Sequence, residues 1–168
     1  LVQHLGRFFN PTADTTASIV ERLVDLGELR LLHMEEGGVD MQLIGITGPG
    51  VQVFDADTGS ALAAEANDIL AAAVRRHPTR FAGLAAIAPQ APKTAARELQ
   101  RAVGLGLKGV LVNSHTKGEY LDASAYRPIL EAAEDLDVPL YLHPRTAPPA
   151  MQAPFAERHM EGHFWGFQ

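Results

Sequence analysis

The sequence predicts an α/β fold made of parallel β-strand and α-helix units. Strand-like apolar segments and amphipathic helices alternate four times along the chain, and short loops join them. Parallel strands connected by helical crossovers have this order, because both faces of such a sheet must be covered. The chain has 168 residues, of which 46% are hydrophobic, so it is long enough for one domain with a sizeable core.

The first unit is a long helix followed by a buried strand. Asp14 and the residues after it can cap a helix that runs to about Glu36, with apolar residues every three to four positions. Gly37 and Gly38 end this helix, because glycine accepts the positive φ of a helix terminus. Residues 39–46 begin by alternating and end nearly all apolar, which is typical of a strand buried on both faces.

The same order repeats three times. Further helices are predicted over residues 59–76, 93–103 and 124–136, and further strands over residues 81–87, 108–113 and 139–143. Each of these helices carries its apolar residues on one face. His77 precedes a proline and therefore ends the second helix, because a residue in that position avoids the helical region. Another helix is expected to start near Phe164.

Periodicity alone leaves two closures of the sheet open: an open doubly wound sheet and part of a (β/α)8 barrel. Residues 47–50, with the sequence TGPG, match neither the P-loop nor the G-x-G-x-x-G pattern, which lowers the case for a nucleotide-binding sheet. A complete barrel takes about 250 residues, so four units correspond to about half of one.

Composition excludes several partners and sites. The net charge of −6 argues against a nucleic-acid partner, and no apolar run approaches the roughly 20 residues that span a bilayer. The absence of cysteine excludes disulfides and thiolate metal sites. No secretory signal is visible, so the cytoplasm is the expected location. Because the chain opens on Leu1, residues upstream are expected to be missing.

Candidate site residues follow the predicted strands, because sites of parallel α/β sheets gather at the carboxyl ends of the strands. The residues in these positions are Thr47, Pro89-Gln90, Asn113-Ser114-His115 and His143-Pro144-Arg145. His143 either binds a metal through a neutral imidazole or is hydrogen-bonded within the loop layer. Thr47 and Asn113 either contact a substrate or brace their loops. His115 is expected to be an exposed loop residue.

Two further histidines near the end of the sequence have a spacing that resembles a metal site, but the residues around them do not fit one. His159 and His163 are four residues apart, which on a helix would give them one face. Glu161 stands in the third place of this segment, so the segment lacks the H-E-x-x-H order of zinc sites. Gly162 also disfavours a helix here, and both histidines are expected to be polar residues of a surface loop.

Five segments carry a resemblance to a known family: LGELRLLHMEEGGVDMQLI, GPGVQVFDADTGSALAAEANDILA, HPTRFAGLAAIAPQ, VNSHTKGEYLD and VPLYLHPRTAPPAM. They lie in order between residues 26 and 151. Together they resemble the decarboxylase branch of the amidohydrolase superfamily, which includes γ-resorcylate, 2,3-dihydroxybenzoate and 5-carboxyvanillate decarboxylases. The sequence is most similar to the 5-carboxyvanillate type.

The resemblance implies a partial (β/α)8 barrel, with about strands two to five present in a single incomplete domain over residues 1–168. It implies a lyase that removes the carboxylate of a hydroxylated aromatic acid such as 5-carboxyvanillate without redox chemistry. It also implies a divalent metal, Mn²⁺ or Zn²⁺, with His143 as a ligand, and places Thr47 and Asn113 near the substrate. The implied partners are a small aromatic carboxylate and further copies of the same chain, in a dimer or tetramer.

The sequence also departs from the family. The glutamate ligand of the first strand, the later histidine of a G-H-M-G-E segment and the aspartate of the last strand are absent from it. No catalytic residue is therefore assigned, and the family's first strand and its sixth to eighth strands are expected to be missing. Two alternatives stay open: a metal-dependent hydrolase of lactones or amides from the same superfamily, and a catalytically inactive half-barrel fragment.

Overall fold

The computed structural model describes residues 14–145 and 147–159 and has the predicted alternation of helices and strands. The helices are α1 Asp14–Val24, α2 Glu28–Glu36, α3 Ala56–Arg76, α4 Pro92–Gly104, α5 Arg127–Asp135 and α6 Pro149–Ala156. The strands are β1 Gln42–Ile44, β2 Phe81–Gly83, β3 Ala85–Ala86, β4 Val110–Asn113, β5 His115–Thr116, β6 Glu119–Tyr120 and β7 Leu140–His143. Single turns of 3₁₀ helix cover Gly50–Val53 and Ser124–Tyr126.

The main strands are parallel. β1 pairs with β2, β3 with β4 and β4 with β7. The chain passes from β2 into β3 through Leu84, whose N–H donates to the carbonyl of Ile44 at 2.8 Å, while the N–H of Ala85 donates to Gly109 at 2.8 Å. β5 and β6 form a separate antiparallel pair. The described strands form an open sheet and do not close into a barrel.

The side chains of β4 alternate between the two faces of the sheet. Val110 and Val112 are fully buried in the core between the sheet and helices α3, α4 and α5. Because strand side chains alternate, Leu111 and Asn113 lie on the opposite face. His143 is in register with Asn113 across the β4–β7 pair, so it shares that face. The helix-side core thus orients the strand ends from which the candidate site residues project.

The predicted long helix over residues 14–36 is wrong in one respect, because the structure divides it into α1 and α2. The carboxylate of Asp25 accepts the N–H of Gly27 at 3.1 Å and that of Arg30 at 2.8 Å, which caps the start of the second helix. The Arg30 guanidinium in turn donates to the carbonyls of Arg22 at 2.8 Å and of Asp25 at 2.6 Å. This local hydrogen bonding competes with the continuous helix.

The helix α3 begins at Ala56, three residues earlier than predicted, because Asp55 caps it. The Asp55 carboxylate accepts the N–H of Thr58 at 2.8 Å, and this hydrogen bond lowers the pKa of the carboxyl group. Asn67 in the same helix fixes the strand beneath it: the side-chain oxygen accepts the N–H of Ala86, and the side-chain nitrogen donates to the carbonyl of Ala86, both at 2.8 Å. The predicted strand over 81–87 is divided into β2 and β3 at Leu84, where its pairing partner changes from β1 to β4.

The remaining differences lie near the chain ends and in strand lengths. β1 is shorter than the predicted 39–46, and α6 was not predicted because Pro148, Pro149 and Pro154 suggest irregular structure. The helix expected near Phe164 falls outside the described residues. Among the helices that the structure describes, none combines the length and the apolar character needed to cross a bilayer.

Candidate functional site

Three residues singled out in the sequence, Thr47, Asn113 and His143, lie together at the carboxyl ends of the parallel strands. Asn113 is the last residue of β4 and His143 the last of β7, and the two are directly paired in the sheet register. Thr47 follows β1, and its hydroxyl oxygen lies 3.1 Å from Nε2 of His143. The sheet therefore brings residues from three separate segments to one edge, as the strand-end reasoning predicted.

The imidazole of His143 has one of its nitrogens committed to the backbone. Nδ1 lies 2.6 Å from the carbonyl oxygen of Pro144, which can only accept, so Nδ1 carries the proton and donates it. Nε2 is then the unprotonated nitrogen, and the Thr47 hydroxyl donates to it. Backbone fixation of one nitrogen while the other keeps its lone pair is the arrangement found in metal-binding histidines.

Asn113 is almost completely buried, with 2% of its surface exposed. Its side-chain nitrogen Nδ2 donates to Oε1 of Gln52 at 3.1 Å and to the carbonyl of Pro49 at 3.4 Å. The oxygen Oδ1 is buried and has no hydrogen-bond partner among the described residues. It points to Gly48, where an added Cβ would lie 2.9 Å from Oδ1 and 3.9 Å from Nδ1 of His143.

Gln52 is a residue of this edge that the sequence reasoning missed. It lies in the 3₁₀ turn after β1 and is buried, with 3% of its surface exposed. Oε1 accepts the backbone N–H of Asn113 at 2.7 Å. Nε2 donates to Thr116 Oγ1 at 2.7 Å and to the carbonyls of Asn113 and His115, both at 3.2 Å. The only signal in the sequence is an amide side chain within the otherwise apolar segment VQVF.

His115 was expected to be exposed, and this expectation is wrong. The residue has 7% of its surface exposed and forms β5, because the loop after β4 folds back as a hairpin. The hairpin turns at Lys117, with a φ of 53°, and at Gly118, with a φ of 92°. Nδ1 of His115 accepts the N–H of Gly118 at 3.2 Å, and its ring packs edge-to-face on Tyr120 with centroids 5.8 Å apart.

Arg145 contributes a positive charge close to this edge. Its guanidinium donates to the carbonyl of His115 at 3.2 Å and is half-buried. Desolvation lowers the pKa of Arg145, although a guanidinium stays protonated at neutral pH. Within the part of the chain that the structure describes, Arg145 forms no ion pair, and the salt bridges there involve Arg80, Arg101 and Arg127. An anion would therefore find an uncompensated charge here.

The described residues do not complete a metal site. Over residues 14–145 and 147–159, no group of three histidine, aspartate or glutamate side chains comes close enough to hold an ion. A tightly bound divalent metal needs at least three protein ligands, and His143 supplies one. His159 is exposed, with a φ of 53°, and His163 lies outside the described residues. The site as described is therefore one imidazole beside two polar side chains.

Comparison with known proteins relates this arrangement to a family. The amidohydrolase family profile matches residues 13–163. γ-Resorcylate decarboxylase from Polaromonas sp. is 39% identical over 152 residues, which are 86% of this chain and 45% of that protein. This chain thus spans about half the length of the curated relatives it matches.

Solved structures agree with the sequence comparison. 5-Carboxyvanillate decarboxylase from Sphingomonas paucimobilis superposes with a TM-score of 0.85 at 41% identity, over 99% of this chain and 50% of that one. The enzyme of the same name from Novosphingobium aromaticivorans, with manganese and 3-methoxy-4-hydroxy-5-nitrobenzoic acid bound, gives 0.87 at 42% identity, over 94% of this chain and 46% of that one.

These matches decide between the two closures that the sequence left open. The four parallel units are part of a (β/α)8 barrel, and the doubly wound sheet is excluded. The resemblance inferred from the five sequence segments is likewise confirmed, since the profile and the superposed enzymes belong to the same superfamily. The chain belongs to the amidohydrolase family.

Proposed function

We propose that a protein containing this chain catalyses the metal-dependent, non-oxidative decarboxylation of a hydroxylated aromatic acid such as 5-carboxyvanillate. The observation that carries the proposal is the meeting of Thr47, Asn113 and His143 at the carboxyl ends of barrel strands. Active sites of such barrels lie at this end. The relatives named above are decarboxylases of aromatic acids, which supports the same reaction class for this chain.

The polar groups at this edge suit an aromatic ring that bears both a hydroxyl and a carboxylate group. The uncompensated charge of Arg145 favours a carboxylate nearby. The Thr47 hydroxyl can donate to or accept from a substrate oxygen once it leaves His143. The ligand in the Novosphingobium enzyme, a hydroxylated and methoxylated nitrobenzoic acid, has this combination of groups.

We propose a divalent metal as the cofactor, Mn²⁺ in the first place and Zn²⁺ as the alternative. Manganese is bound in the Novosphingobium enzyme, which supports this choice. His143 would bind the metal through Nε2, since its Nδ1 proton is donated to Pro144. The remaining ligands have to come from outside the residues that the structure describes, so no reaction step through the metal is derived.

The proposed reaction needs neither an oxidant nor a reductant. The bond between the ring carbon and the carboxylate breaks, carbon dioxide leaves, and a proton takes its place on the ring carbon. Thr47 and Asn113 would orient the ring rather than carry this proton, since a threonine hydroxyl and a carboxamide are poor acids at neutral pH. None of the described residues is assigned as the proton donor.

We also propose that the protein associates with copies of itself, as a dimer or a tetramer. The support for this proposal is the resemblance to the family. Tyr141 and Leu142 of β7 are 53% and 55% exposed, and Leu43 of β1 is 57% exposed. The chain covers about half of the barrel of its relatives, so the exposure of these strands is expected without any partner chain and does not carry the proposal.

The test is carbon dioxide release from 5-carboxyvanillate by the metal-loaded protein, with no nicotinamide cofactor and no oxygen supplied. We expect turnover that is abolished in His143→Ala and retained in His159→Asn, which changes an exposed histidine outside the site. Undiminished turnover in His143→Ala would contradict the proposal. Turnover of lactones or amides alone would instead identify a hydrolase of the same superfamily.

A further inference from the structure

Gln52 makes more hydrogen bonds to the candidate site than any residue assigned to it above. We infer that Gln52 is a positioning residue, which fixes the carboxamide of Asn113 with its oxygen toward Gly48 and His143. A buried hydrogen-bond acceptor then stands at this corner of the site. The effect on turnover rests on the proposed function, whereas the positioning itself does not.

The orientation of the Gln52 carboxamide is set by backbone groups, which have fixed polarity. Oε1 lies 2.7 Å from the backbone N–H of Asn113, which can only donate, so the atom there must be the oxygen. Nε2 lies 3.2 Å from two carbonyl oxygens, those of Asn113 and His115, which can only accept. Exchanging the two ends of the amide would place like groups together on both sides.

The orientation of the Gln52 carboxamide determines that of Asn113. Oε1 of Gln52 is the acceptor that faces the Asn113 side chain at 3.1 Å, so the facing atom of Asn113 must be the donor Nδ2. The carbonyl of Pro49, at 3.4 Å, makes the same demand. The other end of the carboxamide is then necessarily Oδ1, which is directed at Gly48 and the neighbouring ring of His143.

The orientation leaves one buried acceptor at this corner of the site. Oδ1 has no partner among the described residues, and an unsatisfied buried acceptor is unfavourable. Because Oδ1 is closed off from solvent, an entering substrate cannot bond to it directly. Gln52 therefore acts on the site through the position of Asn113 beside Gly48 and the ring of His143.

Gln52 also hydrogen-bonds to the backbone of the segment that carries Asn113. Its bonds to the carbonyls of Asn113 and His115 bracket Ser114. The N–H of Ser114 donates to the carbonyl of His143 at 2.8 Å, across the β4–β7 pair. Displacement of Gln52 should therefore move both the amide of Asn113 and the end of the strand that carries His143.

The first test reads the amide of Asn113 directly, by NMR of protein labelled with ¹⁵N-asparagine. We expect the side-chain N–H₂ of Asn113 to be protected from hydrogen exchange in the wild type and to lose this protection in Gln52→Met. Gln52→Glu keeps one oxygen facing Nδ2 but places the other against the carbonyls of Asn113 and His115, so it should also lose protection. Exchange as fast as that of an exposed asparagine in the wild type would overturn the inference, whatever the variants do.

The second test is a double-mutant cycle in kcat/KM, measured with a hydroxylated aromatic acid. We expect Gln52→Met to lower kcat/KM at least tenfold in the wild type and by clearly less once Asn113 is alanine, because part of the effect of Gln52 passes through the side chain of Asn113. Fully additive losses would overturn the inference.

Asn67→Leu provides the matched control. Asn67 is equally buried and also exchanges two hydrogen bonds with the backbone, but it does so on the helix side of the sheet at Ala86. We expect it to lower stability while changing kcat/KM by less than about threefold. An equal kinetic loss in this control would reduce Gln52 to a structural role. Protection of the Asn113 amide without any decarboxylation would leave the positioning intact and reject the proposed reaction.

Discussion

Oγ1 of Thr47 lies 3.1 Å from Nε2 of His143, so two residues 96 positions apart share one hydrogen bond at the strand ends. Because Nδ1 of His143 donates to Pro144, Nε2 has to accept and the threonine hydroxyl has to donate. Thr47 thus occupies the lone pair through which His143 would bind a metal under the proposed function. A metal held by His143 would free the hydroxyl for a hydrogen bond to another group.

Removing the hydroxyl of Thr47 should therefore weaken catalysis without unfolding the protein. We expect Thr47→Val, which keeps the shape of the side chain, to lower kcat/KM about tenfold, equivalent to about 1.4 kcal/mol. Thr47→Ser keeps the hydroxyl and should stay within about threefold of the wild type. Thr47 is exposed, so both variants should melt close to the wild type. Equal activity of the two variants would show that the hydroxyl has no role.

The incomplete ligand set predicts weak metal binding by the 168-residue chain on its own. One histidine cannot supply the three or four ligands of a tight site, so we expect titration calorimetry with Mn²⁺ or Zn²⁺ to give dissociation constants weaker than about 1 μM. His143→Ala should weaken this binding further. A single stoichiometric site of submicromolar affinity, lost in His143→Ala, would show that residues outside the described part of the chain complete the site.

Much of the fold follows from local sequence patterns. The four parallel units and the strand β7 were predicted from apolar periodicity and glycine or proline boundaries, since these report burial and helix termination directly. The break between α1 and α2 depends on the side chain of Asp25 reaching the N–H of Arg30, and the division of β2 from β3 falls at Leu84, where the pairing partner changes. Such contacts leave no periodic signal.

The candidate site was predictable only in part, for a related reason. Thr47, Asn113 and His143 could be found because the carboxyl ends of parallel strands meet at one edge. The burial of His115 was missed because its loop closes as a hairpin, which depends on the backbone conformation at Gly118. Gln52 was missed because it acts through contacts with residues about 60 positions away, which no sequence spacing reveals.

The burial of His115 changes what its replacement should do. His115→Ala removes the acceptor of the Gly118 N–H and the ring that packs on Tyr120, so we expect a loss of about 1–3 kcal/mol in the free energy of unfolding. Urea denaturation measures this quantity. His159→Asn is the matched control, because His159 is exposed and asparagine tolerates its φ of 53°. If both variants are equally stable, the hairpin contributes nothing to folding.

Gly48 provides a steric test of the position of the Asn113 side chain. A methyl group at position 48 would lie 2.9 Å from Oδ1 of Asn113, which is closer than carbon and oxygen atoms pack. Asn113 cannot turn away without breaking its bond to Gln52. We therefore expect Gly48→Ala to lower kcat/KM at least tenfold and to destabilise the fold by about 1–3 kcal/mol.

Two comparisons assign that loss to the contact with Asn113. In the Asn113→Ala background the methyl group meets no oxygen, so Gly48→Ala should change kcat/KM by less than about threefold. Gly104→Ala is the matched control, because an added Cβ there has no heavy atom within 4 Å and the residue ends helix α4. Since alanine is the better helix former, this control should be neutral or slightly stabilising. Should Gly48→Ala behave like Gly104→Ala, the carboxamide of Asn113 does not occupy the space beside Gly48.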